Sequence, residues 1–155
     1  MAVLLSEDLE SISSLEISPG AMEDLNGQTW QRFTLKLRSG DFCLQIGSQE
    51  KGEPSSIDEG CMVCRKPLDE LANLMDILQQ LLDFDRDKLL FEPAEPSFEL
   101  ILIRSGITGI KASVWLDAGN AKTGIYRWDA AGVRFHTTQE HLSDFLRQLR
   151  QEFAW

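Results

Sequence analysis

The chain has 155 residues, 43% of them apolar and 26% charged, which is material for one globular domain rather than two. Its 25 acidic and 15 basic residues leave a net charge of -10, which disfavours nonspecific binding to nucleic-acid phosphates or anionic lipid and favours cationic partners. Three cysteines make no small disulfide framework, no apolar run nears the roughly 20 residues of a membrane span, and Met1 to Leu5 meets Ser6-Glu7-Asp8 without a basic lead, so a cytoplasmic, thiol-reduced protein is expected.

Residues 1–30 hold six acids and neither Lys nor Arg, and residues 1–11 are expected to be a flexible acidic lead-in to a single domain spanning 1–155. Leu15 and Ile17 alternate with polar neighbours, which predicts a strand over 12–18 ended by Pro19-Gly20. The clearest hairpin follows. Phe33, Leu35 and Leu37 alternate with Arg32, Thr34, Lys36 and Arg38, and after Ser39-Gly40-Asp41 the alternation resumes at Phe42, Leu44 and Ile46. Residues 47–60, rich in Gly, Pro and Ser, are expected to be a mobile loop, and Cys61 to Cys64 a short buried strand leading to the first helix.

That helix is predicted over 66–82, with Pro67 in its first turn and Leu68, Leu71, Leu74, Met75, Leu78, Leu81 and Leu82 at three- and four-residue spacing. Phe98 to Ile103 has the continuous apolar character of a central strand, and Ile110, Ala112, Val114 and Leu116 mark a one-sided one. Two further short strands are expected at 125–128 and 133–135, around a turn at Asp129 to Gly132. The second helix is predicted over 138–153, opened by Thr137 and Glu140 as a capping box and carrying an apolar stripe of Leu142, Phe145, Leu146, Leu149 and Phe153. Strands interrupted by two amphipathic helices argue for an α+β fold with a largely antiparallel sheet of six to eight strands.

Cys61-x-x-Cys64 has the spacing of zinc and thiol–disulfide motifs, and His136 and His141 complete an imaginable Cys₂His₂ set. In an extended segment residues three apart face opposite sides, so buried structural cysteines are the favoured reading, with a metal or redox protein as the alternative and no cofactor expected. Asp83-Phe84-Asp85-Arg86-Asp87 imitates the opening of a calcium loop, but Lys88 stands where the sharp turn needs Gly and Ala94 where a bidentate Glu is needed. A solvated acidic turn, extended by Glu92, Glu95 and Glu99, is the better account. Nucleophile elbows and phosphate-binding glycine loops are missing, and Gly106 to Gly109 is spaced for a turn between strands. Trp115 falls on the polar side of its strand, where it serves as an anchor for a partner or is covered by another element.

Leu90-Phe91-Glu92-Pro93-Ala94-Glu95-Pro96-Ser97-Phe98-Glu99-Leu100 resembles the F-x-E-P-x-L-x-F-E phrase that follows a leucine-rich helix in WapI-type immunity proteins of bacterial contact-dependent toxin systems. The order of elements around it is also similar, over residues 9–155. The resemblance implies a non-enzymatic cytoplasmic protein that binds and blocks the toxic C-terminal domain of a secreted protein, often a basic nuclease. Asp83, Asp85, Asp87, Glu92, Glu95, Glu99 and Trp115 are then the expected partner contacts, with neither nucleic acid nor membrane as a partner. A homodimer through a sheet edge or the Trp115 face is the remaining alternative.

Overall fold

The computed structural model describes residues 1–8, 12–25, 27–46, 60–65, 68–94, 97–117 and 130–153. Among these the chain forms ten strands and two helices: β1 (Ala2–Leu5), β2 (Ser13–Leu25), β3 (Gln28–Ser39), β4 (Phe42–Ile46), β5 (Gly60–Arg65), β6 (Leu68–Asp69), α1 (Glu70–Leu82), β7 (Lys88–Phe91), β8 (Phe98–Ser105), β9 (Gly109–Asp117), β10 (Ala130–Thr138) and α2 (Gln139–Glu152). The α+β class, the antiparallel pairing and the two helices are those expected. The strands divide between two sheets: a six-stranded one in the order β1-β2-β3-β5-β6, with β4 also on β3, and a four-stranded meander in the order β10-β9-β8-β7.

Alternation explains the inner face of each sheet. In the first, antiparallel register lines up Leu4, Leu15, Leu37 and Leu44 in one row and Ala2, Ile17, Leu35 and Ile46 in the next. Seven of these eight are buried and Leu44 partly so, each large side chain contributing roughly 1.5–3 kcal/mol on leaving water. In the second sheet the rows are Leu89, Leu102, Ala112 and Phe135, then Phe91, Leu100, Val114 and Val133, all buried. Phe33 of the first sheet meets Phe98 of the second edge to face, with ring centroids 5.5 Å apart. The two sheets thereby share one core.

Both helices face that core through their apolar stripes. On α1, Leu71, Leu74, Met75, Ile77, Leu78 and Leu81 are buried, and on α2 Leu142, Phe145, Leu146 and Leu149. The helices are tied to each other by Arg150 Nη2, which donates to Gln79 Oε1 at 3.1 Å, and by Gln139 Nε2, which donates to the Leu82 carbonyl at 3.2 Å.

Several local expectations are corrected. The segment 1–11 is not a flexible lead-in throughout: β1 is an edge strand with Ala2 and Leu4 fully buried, and the Val3 amide donates to Gln148 Oε1 of α2 at 2.7 Å. Its four residues are too short for periodicity to reveal, and burial is decided by β2 and α2. Pro19-Gly20 does not end β2; the register shifts between Pro19 and Met22 as a bulge, and the buried Gln31 amide donates to the Gly20 carbonyl at 3.1 Å. α1 begins at Glu70 rather than 66, because Asp69 is its N-cap and accepts from the Ala72 amide at 3.0 Å. α2 is capped by Thr138, not Thr137, with the hydroxyl accepting from His141 at 3.1 Å, while Thr137 is fully buried and donates to the Leu5 carbonyl. Ala130 to Gly132, expected in a turn, lie in β10 opposite Asp117 to Trp115 of β9. The loop at 47–59, Pro67 and the strand at 125–128 fall outside the described residues.

Candidate protein-binding surface

The turn after α1 is built by a helix stop that lacks glycine. Asp83 caps the helix, its amide bonding to the Gln79 carbonyl at 2.8 Å, and the Asp85 amide reaches the Gln80 carbonyl at 3.0 Å. The second of these is the six-to-one closure of a Schellman motif, which places the residue before Asp85 in the left-handed region. That residue is Phe84, with φ 65°. The conformation costs about 1–3 kcal/mol for a side chain of this kind, and Arg104 of β8 offsets it: its guanidinium lies 3.8 Å from the centre of the Phe84 ring while Nη2 donates to the Leu81 carbonyl. α1 has no basic residue in its last turn. Arg104, its side chain 7% exposed and 3.7 Å from the Asp87 carboxylate, supplies the cation that the helix C-terminus favours.

Asp83, Asp85 and Asp87 project from this turn into solvent. β7 follows at once, with Leu89 and Phe91 buried and Lys88 and Leu90 turned outward. Sequence reading missed this strand, because Leu89-Leu90-Phe91 is a short apolar run without alternation and only the fold turns Leu90 outward. Glu92 is exposed at its far end, and next to it the Ala94 amide donates to the buried Glu70 carboxylate of α1. The acids Asp85, Asp87 and Glu92 thus bracket β7.

The face of the second sheet that points away from the core carries Leu90, Ile101 and Ile103, with Leu90 56% and Ile103 41% exposed. Glu99 and Trp115, both half-buried, are cross-strand neighbours on this face. Trp115 lies over Gly132 of β10, where an added Cβ would come within 2.9 Å of its Cε3 atom, so the glycine makes room for the indole. The Arg134 guanidinium stands 5.1 Å from the Trp115 ring centre. Towards β10 the face is cationic, with Lys111 and Arg134 exposed. Of the expected contacts, Asp85, Asp87 and Glu92 gather along β7, Asp83 sits a turn earlier, Glu99 and Trp115 lie farther across the sheet, and Glu95 is outside the described residues. Leu90, Ile103 and the exposed Phe84 were not singled out in the sequence, because isolated apolar residues carry no mark of exposure.

The phrase around residues 90–100 divides the same way. Phe91, Pro93, Ser97, Phe98 and Leu100 are buried and Phe91 packs against Phe98 at 5.8 Å, so this part is architectural. Glu92 and Glu99 remain accessible. The chain matches the Immunity protein WapI-like family over residues 57–155, from just before β5 to the last residue.

The chain belongs to the WapI-like immunity protein family. β1 to β4 lie outside the matched part of this WapI-like protein. Neither a curated protein nor a solved structure gives a match.

For the cysteine–histidine alternative, the side chain of Cys61 lies outside what the structure describes. No group of three or more His, Cys, Asp or Glu able to hold a metal ion occurs among the described residues. His136 is exposed on β10, and His141 Nδ1 on α2 lies 3.3 Å from the Leu5 carbonyl. Burial, reinforced by the Asp69 carboxylate, pushes the Cys64 thiol up from 9.0 to about 11. A raised thiol pKa favours the neutral form in the fold, so this contribution to stability is complete below about pH 9 and is lost as pH rises through 11. In a Cys61→Ser background, a disulfide reagent at pH 8 is expected to modify exposed Cys43 rapidly and half-buried Cys64 several-fold more slowly. Equal rates at the two thiols would contradict this placement.

Proposed function

We propose that this protein neutralises a cognate toxin domain by binding it directly in the cytoplasm of the cell that makes both. Membership of the WapI-like immunity family over residues 57–155 carries the proposal. The action is steric and electrostatic rather than catalytic. The net charge of -10 steers a basic toxin domain towards the protein, and a cluster of accessible acids gives that attraction a place to end. The contacts are Asp83, Asp85, Asp87, Glu92 and Glu99, with Trp115 and Leu90 as apolar partners.

Co-expression with the C-terminal domain of the secreted toxin encoded beside it tests this reading. Rescue of growth and a complex that survives purification are the expected results. The association rate should fall several-fold as ionic strength rises, since long-range attraction is screened within roughly 10 Å at 0.1 M salt. Absence of both protection and complex would reject the proposal.

A further inference from the structure

The two edges of the four-stranded sheet are treated differently. At the β10 edge the N-terminal segment closes in, and the Glu7 amide donates to the His136 carbonyl at 2.7 Å. β7 is the other edge, and no strand pairs with its outer side among the described residues. The Arg104 amide donates to the Asp87 carbonyl at 2.8 Å, which sets the alternation of the antiparallel ladder. Asp87, Leu89 and Phe91 direct their backbone groups towards β8. Lys88 and Leu90 direct theirs outward, where no hydrogen bond within the described residues uses them.

An open edge is a template for strand pairing, and natural proteins usually cover it. Here Leu90 is 56% exposed beside Ile101, its cross-strand neighbour, so an added strand would shield an apolar side chain as well as backbone groups. Charge selects the occupant. Asp83, Asp85 and Asp87 precede the strand and Glu92 follows it, outnumbering Arg86 and the outward Lys88, whereas Lys111 and Arg134 stand towards the opposite side of the sheet. A cationic partner is therefore drawn to the β7 edge, while Lys111 and Arg134 disfavour it towards the β10 edge. A second copy of this chain brings its own charge of -10 and is disfavoured at long range.

We propose that the edge of β7 receives an extended segment of the toxin domain as a fifth strand, apolar at its centre and carrying Lys or Arg near its ends. The inference rests on the immunity reading and names the surface and the mode of binding. The backbone of Lys88 and Leu90 supplies the hydrogen bonds, Leu90 packs against the incoming side chains, and Asp85, Asp87 and Glu92 meet the cations.

Residue-resolved amide exchange on the whole protein, free and with a catalytically inactivated C-terminal domain of the adjacent toxin, tests it. The Lys88 and Leu90 amides should exchange rapidly in the free protein and be slowed at least about tenfold in the complex. Those of Leu89 and Phe91 should be protected in both. Leu90→Pro removes an outward amide and leaves the ladder to β8 intact, so it should weaken binding about tenfold or more. Exchange in the wild-type complex decides the question even where that variant fails to fold. A complex in which both amides still exchange rapidly would overturn the strand-addition proposal alone. Failure of the wild type to bind would overturn the immunity reading with it. Protection of Lys88 and Leu90 in the protein alone, with a doubled mass by light scattering, would assign the edge to a second copy and also overturn the proposal.

Discussion

Phe33→Ala is expected to lower the free energy of unfolding by about 3–5 kcal/mol, the range for truncating a buried aromatic. Phe33 is fully buried and meets Phe98 edge to face at 5.5 Å, and Phe98 in turn packs on Phe91. The loss combines the transfer free energy of the ring, a cavity where the sheets meet, and the aromatic pair itself, worth roughly 0.5–1.5 kcal/mol. In a chain of this length the melting temperature should fall by roughly 10 °C or more. Far-ultraviolet circular dichroism and tryptophan fluorescence should report one coincident transition in the wild type. Two separated transitions, or a loss below about 1 kcal/mol, would show that the sheets are stable independently and that the ring contact does not join them.

Arg104→Ala is the second large effect, at about 2–4 kcal/mol. The guanidinium donates to the Leu81 carbonyl, covers the strained Phe84 and lies 3.7 Å from Asp87, so removing it uncaps the end of α1 and loosens the acidic turn. Nε and Nη1 are buried without hydrogen-bond partners among the described residues, which limits what the charge contributes. Arg104→Met separates the effects, because methionine keeps much of the packing of the stem and loses the charge. Denaturant titration of both variants should place Arg104→Met between wild type and Arg104→Ala. A wild-type midpoint for Arg104→Ala would show that the helix end does not depend on this contact. Arg104→Lys should restore the charge but neither the flat stacking surface nor the fork of donors, and so should rescue only part of the loss.

These predictions concern contacts that local pattern could not mark. Arg104 caps a helix that ends at Leu82, and from the sequence it is one cation that follows the apolar run Leu100 to Ile103. Phe33 was legible as an inward residue, but its meeting with Phe98 was not. Trp115 was correctly placed on the outer side of its strand, whereas the glycine that accommodates it lies on β10, where a turn was expected. The calcium-like spacing at Asp83 to Asp87 was rejected on composition, and the structure shows what holds that turn: a helix stop, a residue at positive φ and a guanidinium from another strand.

The acidic charge of -10 and the α+β class followed from the amino-acid sequence, as did the two amphipathic helices, because each depends on residue content or on periodicity within about ten residues. The phrase between Leu90 and Leu100 also pointed to the family over which residues 57–155 match. Only the tertiary structure decided how the strands divide between two sheets, that Ala2 and Leu4 enter the core, and that the strand between Asp87 and Glu92 is a sheet edge. Those outcomes depend on contacts between residues far apart in the chain. The net charge follows from counting and the acids at 83–92 are neighbours in the sequence, but that they flank an edge strand depended on how the chain folds.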